Sequence, residues 1–256
     1  MMALGVQSCY KNVEGCIDPE STNYAIAADI LCEDCCTYPK IKLNVFHQNA
    51  DTTLFLGDTI TNNLGQEYKI LKYAYLLSDF QMQTSDEEVH EVTDRIALDD
   101  MGKVVSDKDD VIRINRSGFS YELGTIIFDG IGDQLSFVVG VEGPISTLPF
   151  SEVIAEHPLT TDPDSLYSDE DEMYTSLRIR IAQGPSFEDT IVYNLTETSM
   201  ITFPLKFESV RGADKTLIIE AQYDKLFTDV DFTTMTTSQV QSKMQSNVVN
   251  IFGARL

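Results

Sequence analysis

The chain carries three histidines, His47, His90 and His157, and their spacing forms no His-x-His, His-x-x-x-His or His-Glu-x-x-His ligand pair. A mononuclear site could still assemble from His47, His157 and the thioether of Met173, because soft donors suit Cu(I). Hard donors are abundant. Asp169 and Asp171, in the run Ser168-Asp169-Glu170-Asp171-Glu172, offer oxygens to a divalent cation such as calcium, since alternate side chains of an extended segment converge on one side. Surface histidines and a solvated acidic loop account for the same residues. Copper and calcium are therefore candidate ions that the spacing permits without requiring.

Group-transfer chemistry has less to work with. No Gly-x-Ser-x-Gly elbow is present, no Walker loop occurs, and Gly130-Ile131-Gly132 lacks the rest of a dinucleotide fingerprint. The chain has no tryptophan, which removes the usual platform for sugar stacking. A non-catalytic protein is the expectation.

All five cysteines, Cys9, Cys16, Cys32, Cys35 and Cys36, precede residue 37. Cys32-x-x-Cys35 has the spacing of thiolate ligands, but a closed zinc site needs a second ligand pair and none stands nearby. A short loop-rich segment of an exported protein needs covalent closure, so disulfides among Cys16, Cys32, Cys35 and Cys36 are the favoured reading. A vicinal Cys35–Cys36 bridge is strained, which leaves Cys16 to pair with one of the other three. Cys9 is the odd thiol. Val6-Gln7-Ser8-Cys9 resembles the end of a bacterial lipoprotein signal and makes Cys9 a candidate lipid attachment point.

These residues need a scaffold. With 256 residues, 43% hydrophobic and 23% charged, the chain has ordinary globular composition and length enough for a large core. The 41 acidic residues against 18 basic give a net charge of -23, which opposes binding to nucleic acid and to anionic lipid headgroups. No apolar run is long enough for a membrane-spanning helix, so any membrane attachment would come through a lipid anchor.

From Ile41 onward short alternating segments predict strands: Ile41 to Val45, Tyr68 to Met82, Ser136 to Val141, Leu177 to Ile181 with Arg178 and Arg180 outward, Ile201 to Leu205 and Thr216 to Tyr223. Thr237 to Gln245 predicts a short C-terminal helix, capped by Thr237 or Ser238, with Val240, Met244 and Val248 on one face. Two acidic stretches, Ser85 to Asp110 and Glu156 to Glu172, interrupt the strands. The expected fold is an all-β antiparallel sandwich with a disulfide-stapled N-terminal module, residues 1–39, ahead of a sandwich domain, residues 40–256.

Two resemblances add to this. Gly15-Cys16-Ile17-Asp18-Pro19, Asn23-Tyr24, Cys32 and Cys36-Thr37-Tyr38 are similar to small Gly-Cys-x-Asp-Pro…Asn-Tyr…Cys-x-Tyr repeats of bacterial cell-surface proteins. From Ile41 onward, Leu43-Asn44-Val45-Phe46-His47, Gly65-Gln66-Glu67-Tyr68, Lys72-Tyr73-Ala74-Tyr75-Leu76-Leu77-Ser78, Phe137-Val138-Val139-Gly140-Val141, Met173-Tyr174 and Asn247 to Phe252 follow, in order, the motifs of the MbnP-like family. That family comprises extracytoplasmic bacterial proteins related to the partner protein of methanobactin operons and to secreted copper-binding proteins. The resemblance implies a β-sandwich outside the cytoplasm. The family's copper members use a histidine and an oxidised tryptophan; here Tyr174 stands near the place of that tryptophan.

The functional expectation is a non-catalytic binding or interaction protein at the outer-membrane surface or in the periplasm of a Gram-negative bacterium. It would be a lipoprotein or an accessory subunit of an outer-membrane assembly, with other envelope proteins as partners. Copper binding or delivery, through His47, His157 and Met173, is the alternative.

Overall fold

Alternation becomes strand wherever one face of a segment can be buried. The structure is a computed structural model and describes residues 12–32, 34–98, 103–108, 110–115, 119–148, 157–160, 166–168 and 170–255. Cys9 and Asp169 lie outside the described residues.

In chain order the strands are β1 (Glu14–Gly15), β2 (Ile30–Leu31), β3 (Lys40–Asn49), β4 (Thr52–Thr53), β5 (Thr59–Thr61), β6 (Glu67–Thr84) and β7 (Val89–Glu91). They continue with β8 (Arg95–Leu98), β9 (Lys103–Lys108), β10 (Ile112–Asn115), β11 (Ser120–Thr125), β12 (Gly130–Val139), β13 (Tyr167–Ser168) and β14 (Met173–Tyr174). The last are β15 (Leu177–Gln183), β16 (Asp189–Leu195), β17 (Ser199–Ser209), β18 (Lys215–Gln222) and β19 (Phe252–Ala254), with helices α1 (Tyr223–Leu226) and α2 (Thr237–Asn247) between β18 and β19. The acidic stretches thus hold short strands of their own, seeded by β-branched and aromatic residues such as Val89, Val104 and Tyr167 among the carboxylates.

Two sheets face each other. The larger has eight strands, β16-β15-β6-β12-β17 in order, with β5, β7 and β10 also paired to β6; the smaller has five, β11-β3-β18-β19 with β4 on β3. Between them lies one apolar core: Ile41, Leu43 and Val45 of β3 and Leu217, Ile219 and Ala221 of β18 meet Tyr75, Leu77, Leu135, Phe137 and Ile179 of the larger sheet. The fold is an antiparallel β-sandwich apart from the β3–β18 pair, which runs parallel from Lys215 beside Ile41 to Gln222 beside Gln48.

Strand β6 is the spine. Its Tyr73, Tyr75 and Leu77 enter the main core, while Ala74 and Leu76 on the opposite face join a second cluster with Val111, Val141, Ile145, Leu159, Leu166 and Tyr174. Burial on both faces explains why the segment reads as a nearly continuous apolar run rather than an alternating one. The strand is kinked at Asp79, a non-glycine residue at φ 53°. The buried Asp110 carboxylate holds that kink, accepting from the Asp79 and Phe80 backbone N–H groups at 3.1 and 2.7 Å.

In the N-terminal segment Cys16 bonds Cys36 and Cys32 bonds Cys35, with Cα atoms 5.1 and 5.7 Å apart. Asp18, Asn23 and Tyr38 act as a clamp. Asp18 accepts from the Glu20 N–H at 2.9 Å and from the Tyr38 hydroxyl at 2.8 Å. Asn23 donates to the Cys35 carbonyl at 2.7 Å and accepts from the Thr37 N–H at 3.0 Å, which ties the two ends of the segment across the disulfide. It rests on the turn after β17, where Gly212, at φ +68°, lies so close that an added Cβ would meet the Ser21 carbonyl at 2.6 Å.

Helix α2 begins at Thr237, where the sequence places it, but its cap lies one residue earlier than the sequence suggests. Thr236 is its N-cap, because the capping box pairs it with Gln239: the Gln239 N–H reaches the Thr236 hydroxyl at 3.3 Å and the Thr236 N–H reaches Gln239 Oε1 at 2.8 Å. Val240, Met244 and Val248 are buried, as their spacing predicts. Among the described residues no helix is long and apolar enough to cross a membrane.

Candidate functional site

The sequence-derived ligand set separates in space. His47, near the end of β3, turns into the sandwich, where its ring packs against Tyr73 and Tyr223 with centroids 5.2 and 5.7 Å away. His157 lies beyond the other face of the larger sheet: its Nδ1 accepts from the Leu159 N–H at 3.2 Å, and Leu159 packs with Ala74 and Leu76 in the outer cluster. Tyr73 and Ala74 are successive residues of β6 pointing to opposite faces, so the sheet itself stands between the two imidazoles. Met173 sits on β14 with its side chain exposed. A single ion cannot take His47 and His157 together, since each nitrogen would have to lie about 2 Å from it.

For the calcium pair only Asp171 is described. Its carboxylate accepts from Ser168 Oγ at 2.8 Å while its own N–H donates to the same oxygen at 3.2 Å, a local turn closure at an exposed site. Among the described residues no group of three or more His, Cys, Asp or Glu side chains could hold a metal ion.

His47 nevertheless has an unusual setting. Its Nδ1 is 3.0 Å from the Tyr223 hydroxyl, which donates onward to the Tyr75 hydroxyl at 3.5 Å. Nδ1 and the Tyr223 hydroxyl share one hydrogen bond, whose direction follows the imidazole tautomer. The ring's Nε2 is buried and has no hydrogen-bond partner. Burial lowers the imidazole pKa from 6.5 to about 4, so the ring is neutral at pH 7, and it pushes the Tyr75 and Tyr223 hydroxyls well above 10. The arrangement is a neutral polar chain inside an apolar core.

A second constellation lies on the outer face of the larger sheet, and only its arginines are visible in the sequence pattern. On β15, Arg178 sits between Ala74 of β6 and Asn194 of β16, and Arg180 sits between Lys72 and Val192. Directly opposed residues have Cβ atoms about 5 Å apart and residues two along a strand about 6.6 Å. Three cations therefore ring one spot on a chain of net charge -23. They border a groove of about 150 Å³ lined by Lys72, Tyr73, Ala74, Arg178, Arg180 and Val192.

The groove is built on braced elements. Arg178 Nε donates to Asn194 Oδ1 at 2.8 Å, which fixes the plane of the guanidinium. The edge strand β16 is held in turn by α2, whose Gln241 donates to the Asn194 carbonyl at 2.8 Å and whose Gln245 donates to the Glu197 carbonyl at 3.0 Å. Arg180 and Lys72 are exposed, and Arg180 has no hydrogen-bond or ion-pair partner among the described residues. Lys72 stands directly across from Arg180, a like-charge pair on one face of the sheet. An anion set among the three cations would reverse the sign of that interaction.

Comparison with known proteins adds little to this geometry. No family model matches the sequence, and no curated protein matches it. Among solved structures the chain is similar to MbnP from Methylosinus trichosporium, with a TM-score of 0.45 and 11% identity, over 78% of this chain and 83% of that one. At that distance the likeness is one of general fold and transfers no site.

Proposed function

We propose that this chain is a non-catalytic extracytoplasmic binding protein that engages a partner through the cationic groove formed by β6, β15 and β16. The observation that carries the reading is the convergence of Lys72, Arg178 and Arg180 around a small apolar floor on an otherwise strongly acidic chain. Two disulfides in the N-terminal segment fit an oxidising compartment. Within that compartment the reading is a lipoprotein or accessory subunit of an outer-membrane assembly, anchored through Cys9 and contacting other envelope proteins. Nucleic acid is a poor partner, because three clustered cations do not make a stripe that could track a phosphate backbone.

The test is cross-linking in intact envelopes with a photoreactive residue at Val192, in the wild-type chain and in a Lys72→Gln/Arg180→Gln variant of no lower thermal stability. A specific adduct that the double variant loses supports the reading. An adduct of the same identity and yield in both sinks it. Labelling with a radioactive fatty acid, in the wild type and in Cys9→Ala, tests the anchor.

Copper binding is a second reading, favoured by one observation: the buried, neutral, unpartnered Nε2 of His47. Elemental analysis of protein equilibrated with Cu(I), compared with His47→Gln, tests it; equal copper in both rejects His47 as a ligand.

A further inference from the structure

The groove has a chemistry more specific than positive charge. We infer that it is a carboxylate site, shaped for an acidic side chain of a partner polypeptide, and this rests on the binding role proposed for the same groove. Three observations converge on that ligand.

The first is geometric. Arg178 is held in one plane by its Nε bond to Asn194 at 2.8 Å, and Arg180, two residues along the same strand, projects from the same face with no partner among the described residues. A guanidinium offers a planar fork that matches a carboxylate in two parallel N–H···O bonds, whereas an ammonium such as that of Lys72 acts as a point charge at the other wall. The pairing therefore favours a planar oxyanion with one charge.

The second is the floor. Ala74 and Val192 contribute methyl groups from the two strands that flank β15. A floor of this kind suits methylenes leading up to the charged group, and it gives a bare inorganic anion nothing to touch.

The third is size. A cavity of about 150 Å³ holds roughly six heavy atoms, the scale of benzene in a cavity of equal volume. A carboxylate on two or three carbons fills it.

The source is a polypeptide rather than a free acid because the groove lies open on a sheet face beside the edge strand β16, where a partner chain can approach along the strand. The long-range field of the chain repels an acidic partner, but at physiological salt that field decays over about 8 Å, and a carboxylate seated in the groove lies within that distance of Arg180. Binding should therefore strengthen as salt falls only to the point where the distant acids are no longer screened.

The experiment uses the full chain and isothermal titration at low and physiological ionic strength. The probes are a blocked tetraglutamate peptide, its tetraglutamine counterpart, glutarate and inorganic phosphate. The expected result is saturable binding of the glutamate peptide, none of the glutamine peptide, glutarate at least threefold weaker than the peptide, and phosphate at least tenfold weaker. Arg180→Gln should weaken the peptide at least tenfold with no loss of melting temperature, and Arg178→Lys, which keeps the charge but loses the fork, at least fivefold. Equal binding by wild type and Arg180→Gln overturns the proposal, as does phosphate binding as tightly as glutarate. Glutarate binding with no peptide binding overturns the polypeptide source. A cross-linked envelope partner that depends on Lys72 and Arg180 while no carboxylate probe binds would leave the binding role standing and remove only the carboxylate.

Discussion

The two faces of β6 receive opposite treatment from the fold. Toward the interior the strand presents Tyr73, Tyr75 and Leu77, and the polar side chains admitted there, His47, Tyr75 and Tyr223, are kept neutral and linked in one chain that leaves only His47 Nε2 unpaired. Toward the outside it presents Ala74 and Leu76 beneath a small apolar cover, and then Lys72, where the cover ends and cations gather. Burial makes charge costly, so a buried imidazole gives up its proton; exposure makes charge inexpensive, so a surface can keep like charges side by side if something else benefits. The inner face serves stability and the outer face is where stability has been conceded.

The largest effect that can test this contrast lies at Phe137. It is fully buried and packs against Phe80 and Phe252 with ring centroids 5.3 and 5.2 Å away. Phe137→Ala should cost about 3–5 kcal/mol in chemical denaturation, whereas Val192→Ala at the groove should cost under about 0.5 kcal/mol. Comparable losses from the two would erase the distinction between the faces.

Next comes the acid dependence of the inner face. The folded chain holds His47 at a pKa of about 4 while the unfolded chain returns it to about 6.5, so between those values the unfolded state binds more protons. Stability contributed by the neutral ring is complete above pH 6.5 and is lost as pH falls toward 4, by up to about 3 kcal/mol. The lowered carboxylates, Asp18, Asp94 and Asp231 among them, act in the same direction but only below their ordinary value of 3.8. Unfolding measured from pH 7 to 4 should therefore lose its slope in His47→Gln; an unchanged slope in that variant would show that His47 is not the group being protonated.

These contrasts also show what a sequence can carry. The segment from Leu177 to Ile181 alternates strictly, so the outward direction of Arg178 and Arg180 follows from period alone, and the long apolar run of β6 already signals a strand buried on both sides. The cysteine segregation likewise announces a stapled module before its pairing is known. What stays hidden is every relation that depends on register between distant segments. Lys72 meets Arg180, and β3 runs parallel to β18, only because of sheet order, which local alternation does not encode. The separation of His47 from His157 has the same origin: both are visible as possible ligands, but which face of β6 each occupies is decided by strands they do not belong to. The cap of α2 was closer to hand, since Thr236 and Gln239 stand three apart as a capping box requires.

That cap gives a smaller test. If α2 braces the groove by holding β16, then Thr236→Ala should cost about 1 kcal/mol through the lost N-cap bond. It should also accelerate amide exchange in β16 more than in β12, which α2 does not hold. Uniform acceleration across the larger sheet would mean that α2 contributes to global stability alone and leaves the groove to the strands.

The smallest expected effect is the most pointed. Arg180 and Lys72 stand directly opposite one another, and relief of a like-charge pair of this kind is worth about 0.2–1 kcal/mol. Replacing Arg180 by glutamine also makes a chain of net charge -23 more negative, which works the other way. The local term should win, because opposed residues have Cβ atoms about 5 Å apart, inside the screening length of about 8 Å at 0.15 M salt. Arg180→Gln should therefore raise the melting temperature slightly, by no more than about 4 °C for a chain of this size, and the gain should shrink as salt is added. A melting temperature that falls, and falls further at low salt, would show that Arg180 serves to neutralise nearby acids, and the outer face would then be one more stabilising surface rather than a place held ready for an anion.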